Sequence, residues 1–258
     1  MDIYQHFRKE EQPFIDQVLS WKEQVELTFQ VKLTDFLDPR EQQIVEMLIG
    51  SNNEELKLYK NGGGTEAERK RIVIAPFYEE MSDHLFQLTL LEATYQHKFI
   101  TLEHRDVMGA FMSLGVKRKK LGDIVVGDGI IQIVLAEEIA SYITMNLTSI
   151  KNANVTFEEK PLAYLKQENE KWVESEKTVS SLRLDAVLKE IYHVSRKDAA
   201  SFIQKLQVKV NYKVVEDSKF QLQEGDLISL RGKGRSKLTE IKGLSKKDKV
   251  RITIAILK

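Results

Sequence analysis

The chain has 258 residues, a length that predicts two domains or three small ones. Apolar residues make up 42% and only 4 residues are proline, which excludes disordered and collagen-like chains. The net charge is zero and cysteine is absent, so disulfides, thiolate metal sites and a cysteine nucleophile are excluded.

The neutral total hides an asymmetry. Residues 180–258 hold 18 Lys and Arg against 9 Asp and Glu, whereas residues 1–179 hold 21 against 30. A strongly basic end suggests a face for a polyanion, because Lys and Arg neutralise phosphates and release counterions. The plainer alternative is a basic solvated surface. No run approaches the roughly 20 apolar residues of a membrane-spanning helix, and the start lacks the basic-then-apolar pattern of a secretion signal. The expectation is a cytoplasmic protein with no membrane partner.

Residues 1–69 read as mostly helical. Phe14, Val18, Trp21 and Val25 share one helix face, and Pro13 suits its first turn. Asp38, Pro39 and Glu41 form the start signal of a second helix, with Ile44, Val45 and Leu48 as its stripe and Gly50 as its end. Asn61–Gly64 is a turn. Residues 70–158 alternate: a strand at Arg71–Ala75, a helix at Leu85–Tyr95, a short strand at Phe99–Leu102 and a helix at Val107–Leu114. Strands at Ile124–Val126 and Ile130–Leu135 flank Gly127-Asp128-Gly129, before a helix at Glu137–Leu147 and a strand at Asn154–Phe157. This order predicts an α+β fold, with an RRM-like α/β-plait in the middle of the chain. Residues 159–179 are polar and predict a connector with one edge strand near Trp172–Val173, before a boundary close to Ser180.

The basic end is the most informative part. Leu184, Val187, Leu188 and Ile191 line one helix, and Ser195 with Asp198 opens a second whose apolar face is Ala199, Phe202, Ile203 and Leu206. His193-Val194 joins them in a tight corner. The period then becomes two: Val208 and Val210 flank Lys209, Asn211-Tyr212 turns, and Val214-Val215 resumes. Gly225-Asp226 turns into a strand at Leu227–Leu230. Arg196 and Lys197 fall in a helix first turn, where unpaired N–H groups and the dipole already favour an anion. Arg183 sits at the preceding helix start. Arg231, Lys233 and Arg235 alternate with glycines, so the backbone can approach a phosphate while the side chains fan outward. Two helix starts and a loop suit the contours of folded RNA better than base reading of DNA.

These spaced elements resemble the RNA-binding module of small-subunit ribosomal protein S-four, the alpha-L motif: Leu182-Arg183-Leu184-Asp185, Ser195-Arg196-Lys197, Val208-Lys209-Val210-Asn211, Gly225-Asp226 and Arg231–Arg235. Tyr212 stands where many members have glycine, which leaves the turn type open. The chain also resembles the bacterial YlmH family nearly end to end, through Leu33–Glu41, His104-Arg105-Asp106 with Gly109, and Leu114–Arg118 leading to Gly122-Asp123-Ile124. That resemblance implies a ribosome-associated quality-control factor without a cofactor. Its implied partners are the large ribosomal subunit, its ribosomal RNA and peptidyl-tRNA, and its implied role is tailing of stalled nascent chains.

The expected organisation is a helical region over 1–69, the plait over 70–158, the connector over 159–179 and the alpha-L domain over 180–258, in a monomer. The expected RNA-binding residues are Arg183, Ser195, Arg196, Lys197, Lys205, Lys209, Arg231, Lys233 and Arg235, with Asp185 and Asp198 capping and orienting. Lys117, Arg118, Lys119 and Lys120 form a second basic run, read either as a secondary RNA contact or as a solvated loop. Catalysis is not expected. His104-Arg105-Asp106 copies a kinase triplet, but position 111 is Phe rather than Asn, and Gly62-Gly63-Gly64 lacks the Lys-Ser/Thr of a nucleotide loop. No two of the five histidines have metal-type spacing. The competing readings are an RNA-modifying enzyme with an RNA-binding appendage and a scaffold linked to cell division.

Overall fold

The computed structural model describes residues 3–50, 54–166, 171–245 and 248–257. The chain divides into two compact units, Met1–Glu168 and Asn169–Lys258.

The first unit opens with α1 (Gln12–Thr28), whose Ile15, Val18 and Val25 are buried while Phe14 and Trp21 pack edge to face at 5.9 Å beside them. Next come β1 (Lys32–Leu33) and α2 (Pro39–Ile49). The start of α2 is the reciprocal cap its sequence predicts: Glu41 N donates to Asp38 Oδ1 at 2.9 Å, and Asp38 N donates to Glu41 Oε2 at 2.9 Å. β2 (Leu56–Asn61) and β3 (Arg71–Pro76) complete an antiparallel sheet in the order β1-β3-β2. Ile72 and Ile74 of β3 face the helices, and Val73 and Ala75 pack against Phe86 on the other side. Burial on both faces explains the unbroken apolar run of β3. The strand at Arg71 is therefore the centre of the N-terminal sheet, not the first strand of the plait.

The plait begins instead at β4 (Leu88–Thr94), where a helix is expected. Leu88, Leu91 and Tyr95 have helical spacing, but the strand buries Leu91 and Ala93 on one face and Leu90 on the other. A strand covered on both sides carries no alternation to reveal it. The short strand expected at Phe99–Leu102 does not form; Phe99 is exposed in a turn, Leu102 is buried in the core and Ile100 packs against it. α3 (His104–Ser113), β5 (Leu121–Gly127), β6 (Ile130–Ala136), α4 (Ala140–Asn146), a small hairpin of β7 (Ser149–Ile150) and β8 (Ala153–Asn154), and β9 (Glu158–Lys160) follow. The antiparallel sheet order β5-β6-β4-β9, with α3 and α4 as crossovers, is the β-α-β-β-α-β plait. Val107, Phe111, Ala140 and Ile143 of the helices pack on Ile131, Ile133 and Leu135. The opposite sheet face is also covered. Phe36, Leu162 and Leu165 pack on Leu90 and Val134, and Gln132 is buried beneath Tyr164 and Lys166, to which it is hydrogen-bonded.

The second unit starts with β10 (Trp172–Val179) and α5 (Leu184–Tyr192), followed by α6 (Arg196–Gln204), β11 (Val208–Val210) and β12 (Lys213–Val214). β13 (Leu227–Leu230), β14 (Gly234–Leu244) and β15 (Val250–Leu257) complete an antiparallel sheet in the order β10-β15-β14-β13-β11-β12. β10 pairs with β15 along its whole length, so the last eight residues of the expected connector are an edge strand of this sheet. Residues 167–170 of that connector lie outside the described residues. The apolar faces of α5 and α6 cover Val208, Val210, Ile228, Leu230, Leu238 and Ile254.

Candidate nucleic-acid interface

The corner between α5 and α6 is set by local backbone chemistry. His193 ends α5 in the left-handed region at φ 52°. Two residues later Ser195 caps α6: its Oγ accepts from Asp198 N at 3.1 Å and donates to Asp198 Oδ2 at 2.7 Å. This turn lets the side chain of Arg196, at the start of α6, reach the start of α5. Asp185, 3% exposed, then meets two arginines at once. Arg183 donates through Nε at 3.1 Å and Nη2 at 2.9 Å, and Arg196 donates through Nε at 3.1 Å. Burial pushes the Asp185 carboxyl upward, but the hydrogen bonds from Arg183 and Arg196 outweigh it, and the group is held below its ordinary value. The Arg183 side chain is 28% exposed and that of Arg196 55%, so donors remain on the solvent side of both. Lys197 is exposed in the same first turn.

The β13–β14 hairpin supplies the second group of cations. Leu230 pairs with Gly234, leaving Arg231-Gly232-Lys233 as the tip. Gly232 and Gly234 have φ values of 79° and 95°, which glycine adopts without steric cost. The Tyr192 hydroxyl lies 3.3 Å from Ser236 Oγ and ties the last turn of α5 to the base of this hairpin. The register sets Lys209, Ser229 and Arg235 abreast across β11, β13 and β14. They occupy the face opposite the buried Val208, Val210, Ile228 and Leu230.

Lys205 follows the last residue of α6, roughly 13 Å along the helix from Arg196 at 1.5 Å per residue, so it stands apart from the corner. Ser195 spends its hydroxyl on the cap. Lys237 is a cation that the sequence reading does not single out; it is exposed and continues the alternation of Lys233 and Arg235, the signal by which it can be found.

Asn211 and Tyr212 both take left-handed φ values, 47° and 66°, as a two-residue type I′ hairpin turn requires. Asn211 is locked from inside: Nδ2 donates to Asp226 Oδ1 at 2.7 Å and Oδ1 accepts from Leu227 N at 2.9 Å. Tyr212 thus occupies a glycine-favouring position without changing the turn.

The second basic run is mostly committed within its own unit. Lys119 pairs with Asp35 at 2.8 Å, and Lys120 bridges Asp35 and Glu138. Arg118 Nη1 donates to the carbonyls of Leu121 at 2.6 Å and Gly122 at 3.1 Å. Burial lowers the Lys120 ammonium, but its carboxylate partners outweigh this and raise it. Lys117 is exposed and makes none of these contacts. His104-Arg105-Asp106 is a helix start: Asp106 Oδ2 accepts from Glu103 N at 2.9 Å and pairs with Lys151 at 2.6 Å.

Residues 10–79 match the family model described as "YlmH, N-terminal", residues 81–164 that described as "Putative RNA-binding domain in YlmH", and residues 182–228 the "S4 domain". Over 252 residues, 98% of this chain, the sequence is 42% identical to a Bacillus subtilis (strain 168) protein named "Ribosome-associated protein quality control protein P2", of which the match covers 97%. The chain belongs to the YlmH family. A solved structure named "Cell division protein ylmH from Streptococcus pneumoniae" is 27% identical, with a TM-score of 0.55 over 62% of this chain and 97% of that one. Within this YlmH chain the S4 match contains Asp185 and both arginines and stops before the 231–235 hairpin tip. The plait lies inside the segment described as a putative RNA-binding domain. Its sheet face is packed by Phe36, Leu162 and Leu165, so RNA cannot stack there as it does on an open plait. Among the described residues no helix is long and apolar enough to cross a membrane.

Proposed function

We propose that this YlmH-family chain is a non-catalytic RNA-binding factor of ribosome-associated quality control, docking on the large ribosomal subunit that carries peptidyl-tRNA. The observation that carries the reading is the joint grip of buried Asp185 on Arg183 and Arg196, which fixes two guanidinium groups at the adjoining starts of two helices. Fixed forks of this kind match phosphate oxygens with little ordering cost at binding. Arg231, Lys233 and Arg235 add a glycine-spaced cationic loop, and Lys197 and Lys209 add point charges. Lys205 contacts the RNA away from this cluster, and Ser195 contributes by holding Arg196 and Lys197 in the first turn. Lys117 leads any secondary contact from the first unit, with Arg118, Lys119 and Lys120 as its scaffold. The name of the Bacillus relative favours the quality-control role. The chain acts in the cytoplasm as a monomer without a cofactor.

The test is co-sedimentation with purified large subunits. Replacing Arg183 and Arg196 together by alanine is expected to abolish it while leaving the circular dichroism spectrum intact; unchanged sedimentation refutes the reading. The name of the Streptococcus relative favours a second reading, a role in cell division. Under that reading the same double variant disturbs division without changing ribosome association.

A further inference from the structure

The first unit holds a polar cleft of about 340 Å³ that the RNA-binding reading does not use. Its walls include Trp21 of α1, Lys32 of β1, Arg71 of β3, and the Asp35, Lys120 and Glu138 group. That group is internally compensated, because Lys120 bridges both carboxylates and Lys119 adds a second cation to Asp35.

The remaining two cations have no carboxylate in contact among the described residues. Arg71 is 4% exposed, and its Nε and Nη1 donate to the carbonyls of Thr34 at 2.8 Å, Phe86 at 3.0 Å and Gln87 at 3.1 Å. Among the described residues no carboxylate lies within 4 Å of this guanidinium, and Nη2 has no hydrogen-bond partner. Ser175 Oγ is the one fully buried side-chain polar atom without a partner among the described residues. Nη2 therefore reaches accessible space, and the cleft is the space that Arg71 lines. Lys32 borders the same cleft, likewise without a carboxylate partner among the described residues. The Arg71 guanidinium also faces the Phe36 ring at 6.0 Å, and Asp35 and Glu138 act on it only from beyond contact distance. A buried cation with no anion in contact is best completed by one that reaches it. Carbonyls on Nε and Nη1 also fix the plane of the fork, so Nη2 is presented rigidly to an incoming oxygen.

We infer that this cleft binds the phosphate of a mononucleotide-sized ligand, with Arg71 Nη2 and Lys32 Nζ as the phosphate donors and the Trp21 indole as an apolar wall for the base. A free nucleotide and the terminal nucleotide of an RNA strand offer the same chemistry. The site stands in the first unit and does not depend on the C-terminal arginines.

The experiment is a titration of the full chain, labelled with nitrogen-15, that reads the indole signals. Trp21 and Trp172 are the two tryptophans, and a Trp172→Phe variant assigns them. Adenosine 5′-monophosphate is expected to move the Trp21 signal saturably below about 10 mM, and adenosine to bind at least about tenfold more weakly. Lys32→Gln is expected to weaken the nucleotide about fivefold or more, as loss of one charged donor implies. Arg71→Lys removes the fork as well, but Arg71 holds three backbone carbonyls, so Lys32→Gln is the deciding variant. Binding should persist in the Arg183→Ala, Arg196→Ala double variant. A short oligoribonucleotide with a terminal phosphate separates the sources. Tighter binding than the free nucleotide assigns the cleft to an RNA end, and weaker or equal binding assigns it to a free nucleotide. Absence of saturation, equal affinity for adenosine, or an unchanged affinity in Lys32→Gln overturns the inference.

Discussion

The Asp185 carboxylate lies 3.1 Å from Nε of Arg196, a residue eleven positions further along the chain and in the next helix. One buried acid therefore couples the starts of α5 and α6, and the His193 corner makes that coupling possible. The contact joins the fold to the proposed function: it cross-braces the helical pair and sets the direction of the cations proposed to meet RNA.

Replacing Asp185 by alanine should cost stability and binding together. It leaves two arginines without their anchor, at a cost of about 1–3 kcal/mol in unfolding free energy. RNA affinity should fall about tenfold as the forks lose their fixed direction, since tenfold is about 1.4 kcal/mol. Urea titration and filter binding check the two effects separately. A variant with weakened folding and wild-type affinity would show that the carboxylate braces without orienting.

The pH dependence has a defined sign. The Asp185 carboxyl is lowered in the folded chain, so its stabilisation is complete above the ordinary aspartate value and is lost as pH falls through the lower folded value. Stability of the second unit should fall on acidification, and Asp185→Asn should remove that part of the acid limb. Denaturation midpoints across the acid range check this against wild type.

Tyr212 tests the turn. Its left-handed φ of 66° is tolerated, but a β-branched side chain is strained there. Tyr212→Val should destabilise the second unit by about 1–2 kcal/mol. Tyr212→Gly should be neutral or slightly stabilising, because relief of strain offsets the greater freedom of the unfolded glycine. Thermal melts of the two variants should therefore move apart.

The second basic run should separate by residue. Lys120→Ala removes the bridge between Asp35 and Glu138 and should lower the melting temperature of the first unit. Lys117→Ala should leave that temperature unchanged. If the run meets RNA, Lys117→Ala should reduce the salt dependence of binding by about one phosphate contact. Melting curves and affinities at two salt concentrations distinguish scaffold from contact.

Gly122 should not accept a side chain. A Cβ there would lie 2.7 Å from the Phe36 ring and 3.0 Å from the Val134 carbonyl. Gly122→Ala should cost about 1–3 kcal/mol, as overpacking does, measured by urea unfolding.

The second unit is the part most legible in the sequence because its signals are local. The helical stripes, the Ser195 cap, the period change at Val208 and the glycine spacing of 231–235 each act within a few residues. The final hairpin escapes that reading, although Arg251–Ile256 alternates polar and apolar residues up to Ala255. β3 reads as a strand but not as a member of its own sheet, and β4 reads as a helix, for another reason. Both are buried on two faces, so their apolar runs lack a period, and only pairing partners far along the chain decide which sheet owns them. Spacing also gives no hint that Lys120 bridges Asp35 and Glu138, because charge runs show composition and not partners.

The most direct measurement is ultraviolet crosslinking of the full chain to large-subunit RNA, with the attached peptides mapped by mass spectrometry. The account predicts crosslinks concentrated in residues 183–197 and 231–235. Crosslinks confined to residues 1–168, with the Asp185 corner untouched, would contradict it.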